Sequence, residues 1–363
     1  MLDKDSLFQL KIEKPDEKIF RRIKVNWDKV SKPIDGLGDF EELICRIGAI
    51  QGKEIPEMRN RAALIFCADN GIVEEGVSQS GQDITLAVAK ALGKGISSAC
   101  HLATFAKVNV IPVDIGIDSD EVLEGVRNLK VSKGARNFLK EPAMTLEETL
   151  LAINRGIDLV KELYESGTDI ISTGEMGIGN TTTSVACLAA LLKVDSEKVT
   201  GRGAGLDEVG LARKKTVVFL ALEKYGFDSP DKAFSDEKNR TFEILKTLGG
   251  LDIAALVGTF IGGALYHVPI IIDGLISATA ALMAEKLIPG TKDYMIASHS
   301  GREEGTMLAL DSLHLRPYIS GNMALGEGTG ALMLFPLLDM VMDYYEGGAK
   351  FSDYGIDEYE RFE

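Results

Sequence analysis

Short apolar runs recur along the chain, each closing in a polar or glycine-rich turn that leads into a helical pattern. They cover residues 62–67, 108–113, 169–172, 268–272 and 294–297. Continuous apolar strands separated by helices predict a parallel sheet covered on both faces. Between the first two runs, Val88, Leu92, Ile96, Ala99 and Ala103 recur at intervals of three and four, the stripe of an amphipathic helix. Helical patterns also fit residues 146–166, 181–192, 211–225 and 251–264. The fold class is therefore α/β. In open sheets of this kind, ligands bind outside the carboxyl ends of the strands. The polar motifs of the chain follow the apolar runs, so the active site is expected at those ends.

The two ends of the chain have a different pattern. Residues 1–50 are charged and helix-prone, with the only tryptophan at Trp27. Residues 331–345 carry an apolar helical pattern and precede an acidic tail, GIDEYERFE, whose charges read as a solvated face. Pro336 should kink that helix or mark its start. Neither end holds a strand–turn–helix unit. Residues 1–50 and 331–363 are thus expected to form a small helical domain beside a large α/β catalytic domain, 51–330. Met333, Leu337, Met340 and Val341 recur at helical spacing, a stripe suited either to the core or to a subunit interface.

Composition narrows the function. At 363 residues and 45% hydrophobic, the chain can bury a substantial core. Its net charge of −15 repels phosphate backbones and argues against nucleic-acid binding. An anionic small substrate would need a local nest of amides or a placed cation. The four cysteines (Cys45, Cys67, Cys100, Cys187) are scattered without metal or CxxC spacing and are expected as buried free thiols. The histidines are equally dispersed, so no metal and no cofactor is expected. The N-terminus lacks a signal-peptide core, and no apolar run approaches the ~18–20 residues of a membrane span. The expectation is a soluble cytoplasmic protein with no membrane partner.

Five segments carry candidate chemistry. Residues 321–333, GNMALGEGTGALM, set a single acid, Glu327, among small and apolar residues. So isolated a carboxylate should lose hydration, and desolvation raises its pKa towards that of a useful general base. The alternative is that Glu327 caps a helix starting near Thr329. Residues 172–184, STGEMGIGNTTTS, follow a strand and precede an Ala/Leu-rich helix. Asn180 or Thr181 can cap that helix, whose free amides make an anion site. Its ending is not the GK[ST] of a P-loop. Residues 200–215, TGRGAGLDEVGLARKK, add a second glycine cluster and Lys214, which either reaches a phosphate between the two loops or is an ordinary surface lysine. Residues 67–85, CADNGIVEEGVSQSGQDIT, look like a substrate-covering loop with Ser78, Ser80 and Gln82. Residues 298–319 begin with Ser298, His299 and Ser300, but without a GxSxG elbow a hydrolase triad is improbable, and His299 reads as structural. Asp114, Asp207, Asp252 and Asp273 read mostly as backbone-fixing acids.

In order along the chain, ADNGIVEEGVS, VDIGID, GARNF, TGEMGIGNTTTS, GRGAGLD, LGGLDIAALVG, IIDGLIS, SHSGREEG, LRPY and LGEGTGA resemble the nicotinate-nucleotide–dimethylbenzimidazole phosphoribosyltransferases of cobalamin synthesis. The resemblance runs from about residue 30 to residue 340. It implies a Rossmann-like parallel sheet with a small helical domain built from both chain ends, and a homodimer with the partner subunit close to the active site. The implied reaction moves the phosphoribosyl group of nicotinate mononucleotide to dimethylbenzimidazole, giving an α-ribazole phosphate and nicotinate. Glu327 stands at the position of the family's general base. The turn Glu175, Met176, Gly177, together with Gly203 and Lys214, falls around the mononucleotide, while Ser78, Ser80 and Gln82 border the base pocket. Asn180 and Ser298 complete the expected substrate contacts. One departure is visible: many members read ADHG where this chain has Ala68-Asp69-Asn70-Gly71.

The chemistry suits these residues. A pyridinium is an activated leaving group, and its loss leaves oxocarbenium-like charge on the ribose that a negative site stabilises. The incoming benzimidazole must then shed a proton, which a placed carboxylate can accept. Acceptor choice rests on pocket shape, so adenine, another benzimidazole or a phenol stay open as alternatives, as does a non-catalytic binding relative. A dinucleotide-dependent oxidoreductase lacks its GxGxxG and following acid.

Overall fold

The computed structural model describes residues 1–203, 205–228 and 234–361. Six parallel strands form the main sheet: β1 (Arg61–Ala68), β2 (Asn109–Gly116), β3 (Arg127–Asn128), β4 (Ile170–Met176), β5 (Ile270–Ile272) and β6 (Met295–Ala297), in the order β3-β2-β1-β4-β5-β6. This is the doubly wound, Rossmann-like order. β1 is buried along its whole length, which is why it reads as an unbroken apolar run. The chain builds outward from β1 to β3, then crosses back and lays β4 on the other side of β1, pairing Arg61 with Ile170 through Cys67 with Met176. The switch point of the winding therefore lies between β1 and β4, where open α/β sheets hold ligands.

β4 runs four residues beyond the apolar segment that announced it, carrying Thr173 and Glu175 into the interior. Such polar residues need partners, and the Thr173 hydroxyl has them in the Ile271 carbonyl (2.8 Å) and the Ser277 hydroxyl (2.6 Å). A second, two-stranded parallel sheet, β7 (His299–Gly301) with β8 (Ile319–Met323), follows β6. It has no apolar signature in the sequence.

One face of the sheet is covered by the helices Leu146–Glu165 and Leu251–Tyr266, packed backbone to backbone. A Cβ added at Gly258 would stand 1.9 Å from the Ile153 carbonyl, so only glycine permits this crossing. On the other face, Trp27 of the helix Glu17–Asp28, Leu43 of Asp39–Gln51 and Phe335 of Thr329–Gly347 join Ala63, Ile65 and Cys67 of β1 in one buried cluster. Trp27 lies against Tyr345, ring centres 4.8 Å apart, so segments from both chain ends meet over this face. Residues 352–361 of the tail are exposed, with Arg361 bonded to Asp28 and Asp35; the last two residues of the acidic tail, 362 and 363, lie outside the described residues.

One local expectation is corrected and another is narrowed. The stripe from Val88 to Ala103 is not one helix but two, Asp83–Gly93 and Ser98–Ala106. Gly95 turns in the left-handed region (φ 73°), Ser97 caps the second helix through the Cys100 amide, and Ile96 is left 72% exposed. Of the two roles expected for Pro336, a kink or a helix start, the start falls away, because Pro336 lies inside Thr329–Gly347. All four cysteines are buried and free. No helix among the described residues is long and apolar enough to cross a membrane.

Candidate active site

A cleft of about 330 Å³ opens at the switch point. Its walls are the loops after β1 and β4, the turn after β5, the glycine loop around Gly203, and the β7–β8 ribbon with its exit to Glu327. Residues far apart in sequence meet here because each follows the carboxyl end of a strand.

The deep wall is acidic. Glu175, at the end of β4, and Asp252, at the start of the helix Leu251–Tyr266, are both buried, and the Asn180 side-chain amide donates to both, to Asp252 Oδ2 at 3.0 Å. Burial, reinforced by the Asp252 charge, pushes the Glu175 carboxyl up to about 8. Burial likewise raises Asp252 to about 6, against the Asn180 bond. Asn180 does not cap its helix, as the sequence suggested it or Thr181 would. The cap of Asn180–Leu192 is Gly179 at φ 94°, which frees the Asn180 amide for the two acids.

Glu327 faces this wall from the β8 exit, with its backbone in the left-handed region (φ 57°). The deeply desolvated acid expected there is found at Glu175 instead. Glu327 is half-buried, and its Oε2 accepts the Ala99 amide at 3.1 Å, at the N-terminus of the helix Ser98–Ala106. The apolar sequence neighbours misled, because this amide comes from a helix 228 residues away. Glu327 does not cap its own helix either, since Gly328 holds that place without a side-chain bond. Oε1 has no protein partner among the described residues.

The opposite wall is built for an anion. The helix Asn180–Leu192 begins at the cleft with its positive dipole end. In its first turn the Asn180, Thr182 and Thr183 amides bond to the Gly177 and Gly179 carbonyls, leaving the Thr181 amide without a partner among the described residues. Behind it lies Lys214, 1% exposed, whose Nζ donates to the Thr181 hydroxyl at 2.8 Å. Burial lowers the Lys214 ammonium to about 8, with Glu303 the charge that opposes the shift. A Cβ on Gly203 would meet Thr181 Oγ1 at 2.8 Å and Lys214 Nζ at 3.3 Å, so the glycine keeps the approach to both open.

Of the residues singled out from sequence, Glu327, Glu175, Met176 and Gly177 line the cleft, as do Asn180, Gly203, Ser78 and Ser80. Three do not. Lys214 stands one layer behind Thr181 and Gly203. Gln82 turns its amide to the Asn70 carbonyl at 3.5 Å, and Ser298, fully buried, gives its hydroxyl to the Ile272 carbonyl at 2.6 Å. His299 lines the cleft in its stead, with Nδ1 2.9 Å from the Ser298 hydroxyl and its ring packed against Gly330. The four acids read as backbone-fixing, Asp114, Asp207, Asp252 and Asp273, all accept backbone amides, from Ile117, Gly210, Ile253 and Ala331. Sequence reasoning missed that Asp252 stands beside Glu175 and passed over Glu303 altogether; a lone acid after the paired glycines Gly249 and Gly250 was the available signal for the first.

A Rossmann-like cleft with an amide-and-lysine anion wall facing carboxylates fits an enzyme that handles a small phosphorylated substrate. Residues 12–356 match the family model described as phosphoribosyltransferase, and the chain is accordingly a pentosyltransferase. A nicotinate-nucleotide–dimethylbenzimidazole phosphoribosyltransferase of Acetivibrio thermocellus is 39% identical over 348 residues, 96% of this chain and 95% of that one. One from Ruminiclostridium cellulolyticum is 38% identical over 93% of each chain. The crystal structure of CobT from Thermus thermophilus superposes with a TM-score of 0.86 at 33% identity, covering 94% of this chain and 100% of that one. This chain belongs to the nicotinate-nucleotide–dimethylbenzimidazole phosphoribosyltransferase family.

Proposed function

We infer that the chain moves the phosphoribosyl group of nicotinate mononucleotide to dimethylbenzimidazole in cobalamin nucleotide-loop assembly, with Glu327 as general base. The observation that carries this reading is the pairing, in one cleft, of an anion wall with an acid that has a free oxygen. The donor phosphate sits against the N-terminus of Asn180–Leu192, with Lys214 behind Thr181 supplying charge. Loss of nicotinate then develops positive charge on the ribose beside Glu175, Asp252 and Glu327. Glu175, pushed up to about 8, keeps its proton near neutrality and serves as a hydrogen-bond donor rather than a base. Glu327 is held by the Ala99 amide through Oε2 alone, leaving Oε1 for the benzimidazole N–H. Ser78 and Ser80 border the acceptor.

The enzyme works as an isologous homodimer in this reading. Phe105 (79% exposed) and Met340 (67% exposed) lie on the packed helices Ser98–Ala106 and Thr329–Gly347, the helices that hold and follow Glu327. Val341, by contrast, is buried, so the expected stripe divides between core and surface. A second copy seated over Phe105 and Met340 would flank the site. Light scattering at assay concentration is expected to give twice the chain mass; a fully active species that stays monomeric on concentration would remove the dimer from this reading.

The reaction itself is tested with an acceptor panel and nicotinate mononucleotide, following nicotinate release and product identity. Dimethylbenzimidazole is expected to give the highest kcat/KM. Faster transfer to adenine or a phenol would replace the acceptor, and binding without release would favour a silent relative.

A further inference from the structure

Glu303, in the turn between β7 and the helix Glu304–Leu313, is an acid on the wall built for an anion. Its Oε1 accepts the Gly203 amide at 3.0 Å. A Cβ added to Gly201 would stand 1.6 Å from Glu303 Oε2, so the glycine loop wraps the carboxylate closely. On the far side of the same loop are Thr181 Oγ1 and the fully buried Lys214 Nζ, which has no acid within ion-pair distance among the described residues. A carboxylate accepting a loop amide in the field of a buried lysine has the interactions of a phosphate oxygen.

We propose that Glu303 is a resident counter-anion of the donor-phosphate site, holding the glycine loop closed on itself until the phosphate of the mononucleotide displaces it. This rests on the assignment of Gly203 and Lys214 to the donor phosphate. Leaving the Gly203 amide to a carboxylate in the free enzyme prevents a costly unpaired amide beside a buried cation. Displacement then makes affinity depend on the donor's charge. A dianionic phosphate competes with one carboxylate, whereas a riboside has nothing to displace it with. Glu303 thus acts as a specificity-determining residue that holds down the affinity advantage of phosphorylated donors, because their phosphate must displace it and a riboside need not.

The test measures dissociation constants for nicotinate mononucleotide and nicotinate riboside with wild type, Glu303→Gln and Gly201→Ala. The second variant expels the flexible carboxylate end sterically, without touching its charge. Both are expected to bind the mononucleotide about tenfold more tightly, the worth of one charge-assisted contact no longer broken, with riboside binding unchanged. Equal weakening of both donors would make Glu303 a ribose contact or a prop for the loop, and unchanged binding of both would remove it from the phosphate path; either result overturns the proposal. Lys214→Met separates this from the underlying assignment. If that variant leaves the gap between mononucleotide and riboside intact, the phosphate lies elsewhere. If it narrows the gap while Glu303→Gln changes nothing, only the role of Glu303 falls.

Discussion

The two walls of the cleft bury charge in opposite ways. On one, Glu175 and Asp252 are crowded together around a shared neutral side-chain donor, Asn180, and both are driven towards their protonated forms. On the other, a lone lysine is buried behind a hydroxyl and a glycine loop, and is driven towards losing its proton. Neither arrangement serves the empty protein, because each desolvates charge without pairing it fully. Together they are complementary to one molecule, a phosphate joined to a ribose that becomes cationic as its leaving group departs. The two walls thus divide the work of the site. In the proposed reaction the lysine wall binds the donor, and the acid wall meets what develops during reaction.

The sharpest way to break this division is to remove the proposed proton acceptor. Glu327→Gln is expected to lower kcat by ~10²-fold or more while leaving mononucleotide binding nearly intact, since a general base contributes ~10²–10⁴-fold and grips nothing in the ground state. Wild-type turnover with dimethylbenzimidazole across neutral pH would end the assignment. The complementary change on the other wall is Lys214→Ala. A cation on phosphate is a charge-assisted contact of ~1.5–3 kcal/mol, so KM for the mononucleotide should rise by ~10–100-fold with acceptor affinity little altered. Nicotinate riboside should be indifferent, and equal sensitivity of both donors would detach Lys214 from the phosphate.

The walls also differ in how far the sequence betrays them. The apolar runs of β1 and β2 announce the sheet, and the glycine-rich turns after the strands announce the cleft, because both signals are local. The lysine wall is half legible. Its glycines and helix start are visible in residues 172–184 and 200–215, but whether Lys214 is buried depends on the packing of its helix against Asn180–Leu192. The acid wall is less so. Glu175 looks like an ordinary turn residue until Asp252, contributed by a helix far along the chain, is set beside it. Glu327, alone among apolar residues, looks desolvated until the distant Ala99 amide reaches it. Glu303 lies in the charged run Arg302-Glu303-Glu304, which reads as solvent-facing, and only the fold wraps Gly201 and Gly203 around it. The β7–β8 pair, with strands of three and five residues and no alternation, gives no pattern at all.

The smallest expected effect concerns stability, and it asks whether the acid wall truly bears the burden that burial implies. Glu175 is raised from 4.5 to about 8 in the folded protein. Below pH 4.5 the group is protonated folded or unfolded, and it costs nothing. Between 4.5 and 8 the unfolded chain releases the proton while the folded chain retains it, so stability falls as pH rises. Asp252, raised to about 6, adds a slope of the same sign at lower pH. Glu175→Gln keeps a carbonyl oxygen for the Asn180 amide and removes the titration. Its Tm relative to wild type is therefore expected to climb between pH 5 and pH 8, by a few degrees in all for a domain of this size. Lys214→Met supplies the contrast. That ammonium is charged in both states below about 8, so its burial penalty is constant over the same window, and the variant's gain in Tm should be flat with pH. Parallel curves for the two variants would mean that Glu175 does not titrate as its burial demands, and the acid wall would lose its distinction from the lysine wall.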